Sequence, residues 1–173
     1  MSLKDKKVIT IVDNNYNDLE LWYPIYRLQE DEVTVHIVGE EAGKEYTGQY
    51  GVVAKTDYGY ADVKAEDYDG ILIPGGWAPD KLRRYPEVKE LVQKLDAAGK
   101  TIGSICHAGW VLVSADVLKG RTVTSTPAIK DDMKNAGANW VNQLCCVDDN
   151  FISSRSPADM PAYMKEYIKH LDK

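Results

Sequence analysis

Cysteine is scarce in this chain: its 173 residues include three, at Cys106, Cys145 and Cys146. An odd count with no secretion signal argues against a disulfide framework. Cys145 and Cys146 are adjacent, so in a strand they point to opposite faces and do not readily chelate one ion. No CxxC and no paired-histidine motif occurs, so no structural zinc is expected, and no motif calls for a cofactor. Positive charge is also in deficit, with 21 Lys and Arg against 27 Asp and Glu and a formal net charge of −6. A general phosphate-backbone binder needs a positive face, so no nucleic-acid partner is expected. Long apolar runs are missing, and nothing reaches the length that crosses a bilayer. "VITIV", behind Lys4, Lys6 and Lys7, is too short for a signal-peptide core, and no small-residue cleavage site follows it. The expected location is therefore the cytoplasm, with no membrane partner. Internal repeats, low-complexity stretches and linkers are absent too, and the length suits one domain spanning 1–173.

What is present is an alternation of apolar strands and amphipathic helices. "KKVITIVD" (6–13), "EVTVHIVG" (32–39), "DGILIPGG" (69–76) and "KTIGSIC" (100–106) read as strands. "DLELWYPIYRLQE" (18–30) has helical spacing. Val88, Leu91, Val92 and Leu95 line one face of a helix that Gly99 stops. "HAGWVLVSADVL" (107–118) reads as another helix. Thr126 and Ser156 are expected N-caps, each followed by proline at the first helical position. Met160, Tyr163, Met164, Tyr167, Ile168 and Leu171 form the stripe of a last helix. Residues 40–63 carry short alternating runs and predict a small β excursion. The pattern as a whole predicts an α/β fold: a mostly parallel central sheet with helices on both faces. In such sheets ligands bind beyond the carboxyl ends of the strands.

Three strand ends carry the candidate chemistry. Cys106 stands where the fourth strand must turn sharply into a helix. Such a turn exposes the side chain at the sheet rim, and helix-start amides and dipole there favour thiolate. An inert buried cysteine is the competing reading. His107 is the nearest base, but it reaches the sulfur only if the turn folds its ring back. Asp18 and Glu20 lie after the first strand; acids here complement a helix dipole, and one of them in contact with the sulfur would move protons. "IPGG" offers the amides of Gly75 and Gly76, which with that of His107 are candidates for an oxyanion hole. His36 reads as a strand-face residue, His170 as a solvated one, and "KLRR" (81–84) as a solvated helix face.

"ILIPGGWAPD", "SICHAG", "VSADVLKGR", "TPAIKDDMKNAGANWV" and "SSRSPADMPAYMKEYI", in that order, resemble the PfpI intracellular protease group of the ThiJ/PfpI superfamily, within the class I glutamine amidotransferase-like fold. The resemblance implies a flavodoxin-like three-layer sandwich with Cys106 on a nucleophile elbow, His107 beside it and Glu20 hydrogen-bonded to the sulfur. It also implies a homo-oligomer, a dimer or hexamer, in which Asp80 reaches a neighbouring subunit's histidine. The chain departs from the common pattern in three places. Ala108 and Gly109 are followed by Trp110 where "CHGP" is usual, Asn17 stands where an acid is frequent, and Thr126 stands where an aromatic or histidine is frequent. With Trp77 these are candidate pocket residues, and they point to a distinct substrate. The implied activities are those of a cysteine hydrolase or peptidase, or of a glutathione-independent glyoxalase or deglycase acting on a small carbonyl compound. A stress-linked, non-enzymatic redox sensor or chaperone that uses oxidation of Cys106 is the alternative.

Overall fold

The computed structural model describes residues 3–173. The strands among them are β1 (Lys7–Ile11), β2 (Thr34–Gly39), β3 (Glu45–Thr47), β4 (Val53–Lys55), β5 (Tyr58–Gly59), β6 (Gly70–Ile73), β7 (Thr101–Ile105), β8 (Thr122–Val123), β9 (Asn139–Trp140), β10 (Cys145–Asp148) and β11 (Phe151–Ser154). The α-helices are α1 (Asp18–Glu30), α2 (Ala78–Leu82), α3 (Pro86–Ala97), α4 (Gly109–Ser114), α5 (Lys130–Asn135) and α6 (Met160–Leu171).

The main sheet has seven strands in the order β10-β11-β7-β6-β1-β2-β5. Every pairing within it is parallel except β10 with β11. Side chains alternate between its faces, as the pleat requires. Val8, Leu72, Ile105 and Ile152 pack with α6 and with Leu28 of α1. Ile9, Ile71, Ile73, Ile102 and Phe151 face the opposite layer, where α3 and α4 contribute Val88, Leu91, Val92, Val111 and Leu112. Each central strand is therefore apolar on both sides because both sides are covered.

The expected apolar stripes of α3 and α6 are buried; Ile168 is partly exposed. The 40–63 excursion is an antiparallel hairpin of β3 and β4. Beyond it, β5 joins the edge of the main sheet alongside β2. Three local expectations are corrected. The helix expected over 107–118 ends at Ser114, and the chain leaves through Asp116 at φ 56°. Thr126 and Ser156 precede short 3-10 turns, and neither side chain caps them. "KLRR" is not merely solvated: Leu82 is buried, Lys81 pairs with Asp13 at 3.5 Å and Arg83 donates to Ser114 Oγ at 2.8 Å. Among the described residues no helix is long and apolar enough to cross a membrane.

The seat of α6 on the sheet depends on missing side chains. A Cβ at Gly103 would lie 2.8 Å from Tyr167 ring carbons and press on the Tyr163 hydroxyl. Both tyrosines are buried in one rigid layer, so the contact has no room to relax. Gly103→Ala is expected to destabilise the fold by about 1–3 kcal/mol, read as a lower midpoint in urea with an unchanged slope.

Candidate active site

The main chain enters Cys106 from β7 and reverses there. Ile105 is extended, with φ −134° and ψ 144°. Cys106 itself has φ 60°, in the left-handed region that costs a side-chain-bearing residue about 1–2 kcal/mol. A 3-10 turn, Cys106–Ala108, then leads into α4. The strained residue is held from behind, since the Thr126 N–H donates to the Cys106 carbonyl at 3.2 Å. Ala108, fully buried, and Gly109, which Met133 approaches, let the turn sit close to the core.

Glu20 reaches this turn from the first turn of α1 and is 2% exposed. Asn17 sets its approach: its side-chain oxygen caps α1 by accepting from the N–H groups of Leu19 at 3.1 Å and Glu20 at 3.3 Å. Asn17 therefore works as a helix cap, with its Nδ2 turned 3.4 Å from Gln49 Oε1. The other acid, Asp18, is committed elsewhere: it accepts from the N–H groups of Tyr50 and Val52, both at 2.9 Å, and anchors the hairpin.

The Gly-Gly turn after β6 completes the wall, and its two amides have different tasks. The Gly75 N–H donates to Glu20 Oε2 at 2.7 Å. It is thus taken, which corrects its assignment as an oxyanion donor. Only glycine fits here, because a Cβ would lie 2.5 Å from Glu20 Oε2 and 2.7 Å from Cys106 Cβ. Gly76, at φ 70°, turns its N–H to the Cys106 sulfur, which also receives the His107 N–H. The amide pair at the sulfur is therefore Gly76 and His107.

The His107 ring does fold back, with Nδ1 3.3 Å from Cys106 Sγ. It packs against Trp77, ring centroids 4.8 Å apart, and Trp110, 5.1 Å apart. Asp80 lies on α2, half exposed, and binds Arg84 at 2.5 Å. No acid among the described residues of the same chain hydrogen-bonds the His107 ring. Thr126 contributes its backbone. His36 and His170 stand apart: each Nδ1 meets one local oxygen at 2.9 Å, from Tyr68 and Glu166 respectively. The described residues include no group of three or more His, Cys, Asp and Glu placed to hold a metal ion.

Protonation follows from burial and proximity. Burial pushes Glu20 up to about 7, against the pull of the Gly75 N–H and the Cys106 side chain. Burial and the neighbouring Glu20 charge push Cys106 up to about 12, against the Gly76 and His107 amides. This corrects the expectation of a helix-favoured thiolate: the turn is too short to outweigh desolvation beside an acid. The two steps belong to the pair, which holds one proton across the interval between them. Burial pushes the His107 pKa down, so its ring is neutral at pH 7 and can accept a proton.

The profile of the DJ-1/PfpI family matches residues 6–170. The chain belongs to the DJ-1/PfpI family. Deglycase PH1704 of Pyrococcus horikoshii is 42% identical over 165 residues, which cover 95% of this chain and 99% of that one. Deglycase PfpI of Pyrococcus furiosus is 39% identical over the same coverage. Among solved structures, a two-domain Anabaena variabilis protein with DJ-1/ThiJ/PfpI-like and ferritin-like domains matches with a TM-score of 0.95 at 33% identity, over 96% of this chain and 48% of its own. The DJ-1/PfpI fold thus extends across nearly the whole chain, from β1 to α6.

Glu20 offers a direct check on the site's electrostatics. Its folded pKa is raised from 4.5 to about 7, so its contribution to stability is full below pH 4.5 and is lost as pH rises through 7. Relative to Glu20→Gln, the wild type is expected to lose about 3 kcal/mol between pH 4.5 and 8. Urea titrations across that range measure it; a pH-independent difference would show that Glu20 is not desolvated in the fold.

Proposed function

We propose that this protein is a cysteine-dependent enzyme of the deglycase and glyoxalase type, with Cys106 as nucleophile toward 2-oxoaldehydes and their adducts on amines or thiols. One observation carries the reading: Cys106 is strained at φ 60° on the sheet rim, beside a carboxyl with a pKa of about 7 and a neutral imidazole. The names of the Pyrococcus relatives, both deglycases, support the choice of substrate class.

The geometry supports the following sequence. The sulfur adds to the aldehyde carbon while the thiol proton passes to the Glu20 carboxylate or to His107 Nδ1. The carbonyl electron pair becomes an oxyanion, to which the Gly76 and His107 amides transfer from the sulfur as its lone pair goes into the new S–C bond, and protonation of that oxygen gives a hemithioacetal. With a glycated amine, the thiol displaces the amine from the carbinol carbon and reaches the same intermediate. Glu20, titrating near neutrality, suits the next step: it takes the proton from that carbon and returns it to the adjacent one. The carbon on sulfur is thereby oxidised to a thioester and the neighbouring ketone reduced to an alcohol, with no external redox partner. Water cleaves the thioester, releasing a 2-hydroxy acid and restoring the thiol.

Two further features belong to this reading. Among the described residues no acid of the same chain bonds the His107 ring, and Asp80 is half exposed on α2, which suits an oligomer in which a second copy's Asp80 reaches the histidine. The three free cysteines suit a reducing compartment, the cytoplasm.

Cys106→Ser is expected to reduce turnover on the order of 10³-fold or more, measured as methylglyoxal loss with lactate formation and as amine release from a glycated peptide. Turnover confined to unfolded protein would make the enzyme a peptidase. Oxidation at Cys106 in peroxide with no turnover on any substrate would make the protein a sensor. Asp80→Ala, in an oligomer unchanged by light scattering, is expected to reduce kcat on the order of 10-fold to 10²-fold; an unchanged kcat excludes the cross-subunit contact.

A further inference from the structure

Among the described residues no hydrogen bond from another segment orients the His107 ring. Glu20 is fixed by Asn17 and Gly75, and the Cys106 carbonyl by Thr126. The His107 ring has its bond to Cys106 Sγ at 3.3 Å, and that bond is to its own neighbour in sequence. A residue joined to the nucleophile by one peptide bond has free rotation about its side-chain torsions, and several staggered rotamers carry the ring away from the sulfur.

Two indoles restrict that rotation. Trp77, immediately after the Gly-Gly turn, meets the imidazole at 4.8 Å between centroids with the planes at 44°. Trp110, in α4, meets it at 5.1 Å and 53°. These are favourable tilted aromatic contacts, and each adds to simple area burial. Trp110 is itself held firmly. Its Nε1 donates to Asp132 Oδ2 on α5 at 2.8 Å. The Arg83 guanidinium lies over its ring, 5.7 Å from the centroid, and is tied down by its bond to Ser114 Oγ at 2.8 Å. A continuous set of contacts thus runs from α5 and α2 through Trp110 to His107 and the sulfur.

We propose that Trp77 and Trp110 are positioning residues that clamp His107 with Nδ1 on Cys106 Sγ, and that Asp132 and Arg83 hold the Trp110 jaw of that clamp. The proposal rests on the nucleophile reading of Cys106 and adds how its base is oriented. The clamp also covers part of the imidazole, in keeping with a pKa lowered by burial. Among the ionisable groups, Cys106 bonds the ring directly, Glu20 from α1 lies beyond the sulfur, and Arg83 and Asp132 lie behind Trp110. Asp132 is already bonded to the Trp110 indole, Arg83 to Ser114 Oγ and Glu20 to the Gly75 N–H.

The test uses the full chain with the imidazole followed by NMR, beside steady-state kinetics on methylglyoxal. In Trp110→Leu and Trp77→Leu the His107 pKa is expected to rise, and the acidic limb of the kcat profile to move up with it. At pH 7, kcat is expected to fall by up to about 10²-fold with KM little changed, the loss typical of a displaced catalytic group. Trp110→Phe should restore the pKa and most of kcat, since it returns a ring to the same face. Asp132→Asn, which weakens the hold on Trp110 and leaves the indole in place, should shift the His107 pKa in the same direction by less. An unchanged His107 pKa in both leucine variants, with thermal melts showing them folded, overturns the clamp. So does a loss of kcat in Trp110→Leu that Trp110→Phe does not recover. A shifted His107 pKa in a wild type without carbonyl turnover would support the clamp while refuting the proposed function.

Discussion

Everything at this site follows from one strained torsion. A cysteine at φ 60° ends β7 abruptly, so the side chain leaves the sheet plane and stands at the rim instead of continuing the buried alternation of Ile102, Ser104 and their neighbours. The surrounding structure makes that torsion tolerable. The Thr126 amide takes the Cys106 carbonyl, and the buried Ala108 and close-packed Gly109 allow the following turn to pack inward. The two parallel neighbours of β7, namely β6 and β11, fix where the strand ends.

The second organising constraint is desolvation. Glu20 is buried beside a thiol that is itself buried; burial raises the cost of charging each, and the Glu20 charge adds to the cost of charging the sulfur. Such a pair holds one proton near neutrality and can shift it between oxygen and sulfur without taking one from solvent. The Gly75 N–H stabilises the carboxylate, whereas the Gly76 and His107 amides stabilise charge on sulfur. A turn of two glycines thus serves both partners, one amide each. The neutral imidazole adds an acceptor that does not compete for that proton through its own charge.

Much of the architecture was legible in the chain. The apolar runs of β1, β6 and β7, and the stripe Met160, Tyr163, Met164, Tyr167 and Leu171, are local periodic signals, and the structure buries them accordingly. Cys106 stood out because an apolar strand met small residues directly after it. Capping was less legible. Thr126 and Ser156 look like N-caps before proline, yet the chain takes 3-10 turns there, and tertiary contacts outweigh a weak local preference. The aromatic packing around His107 had no local signature either. Trp77 and Trp110 lie 33 positions apart, and only the packing of α2 against α4 brings them to one ring.

The sequence by itself determined the order of strands and helices, the faces they bury and the residue placed at the turn after β7, because each is a matter of spacing within a few residues. The tertiary structure alone decided the state of the site. Glu20 and Gly75 are 55 positions apart, and their bond takes an amide that the glycine pair alone suggested was free. The charge on the sulfur and the orientation of His107 are likewise settled by burial and by neighbours from α1, α2 and α4. Desolvation and hydrogen bonding sum over everything within a few ångströms, whatever its distance along the chain.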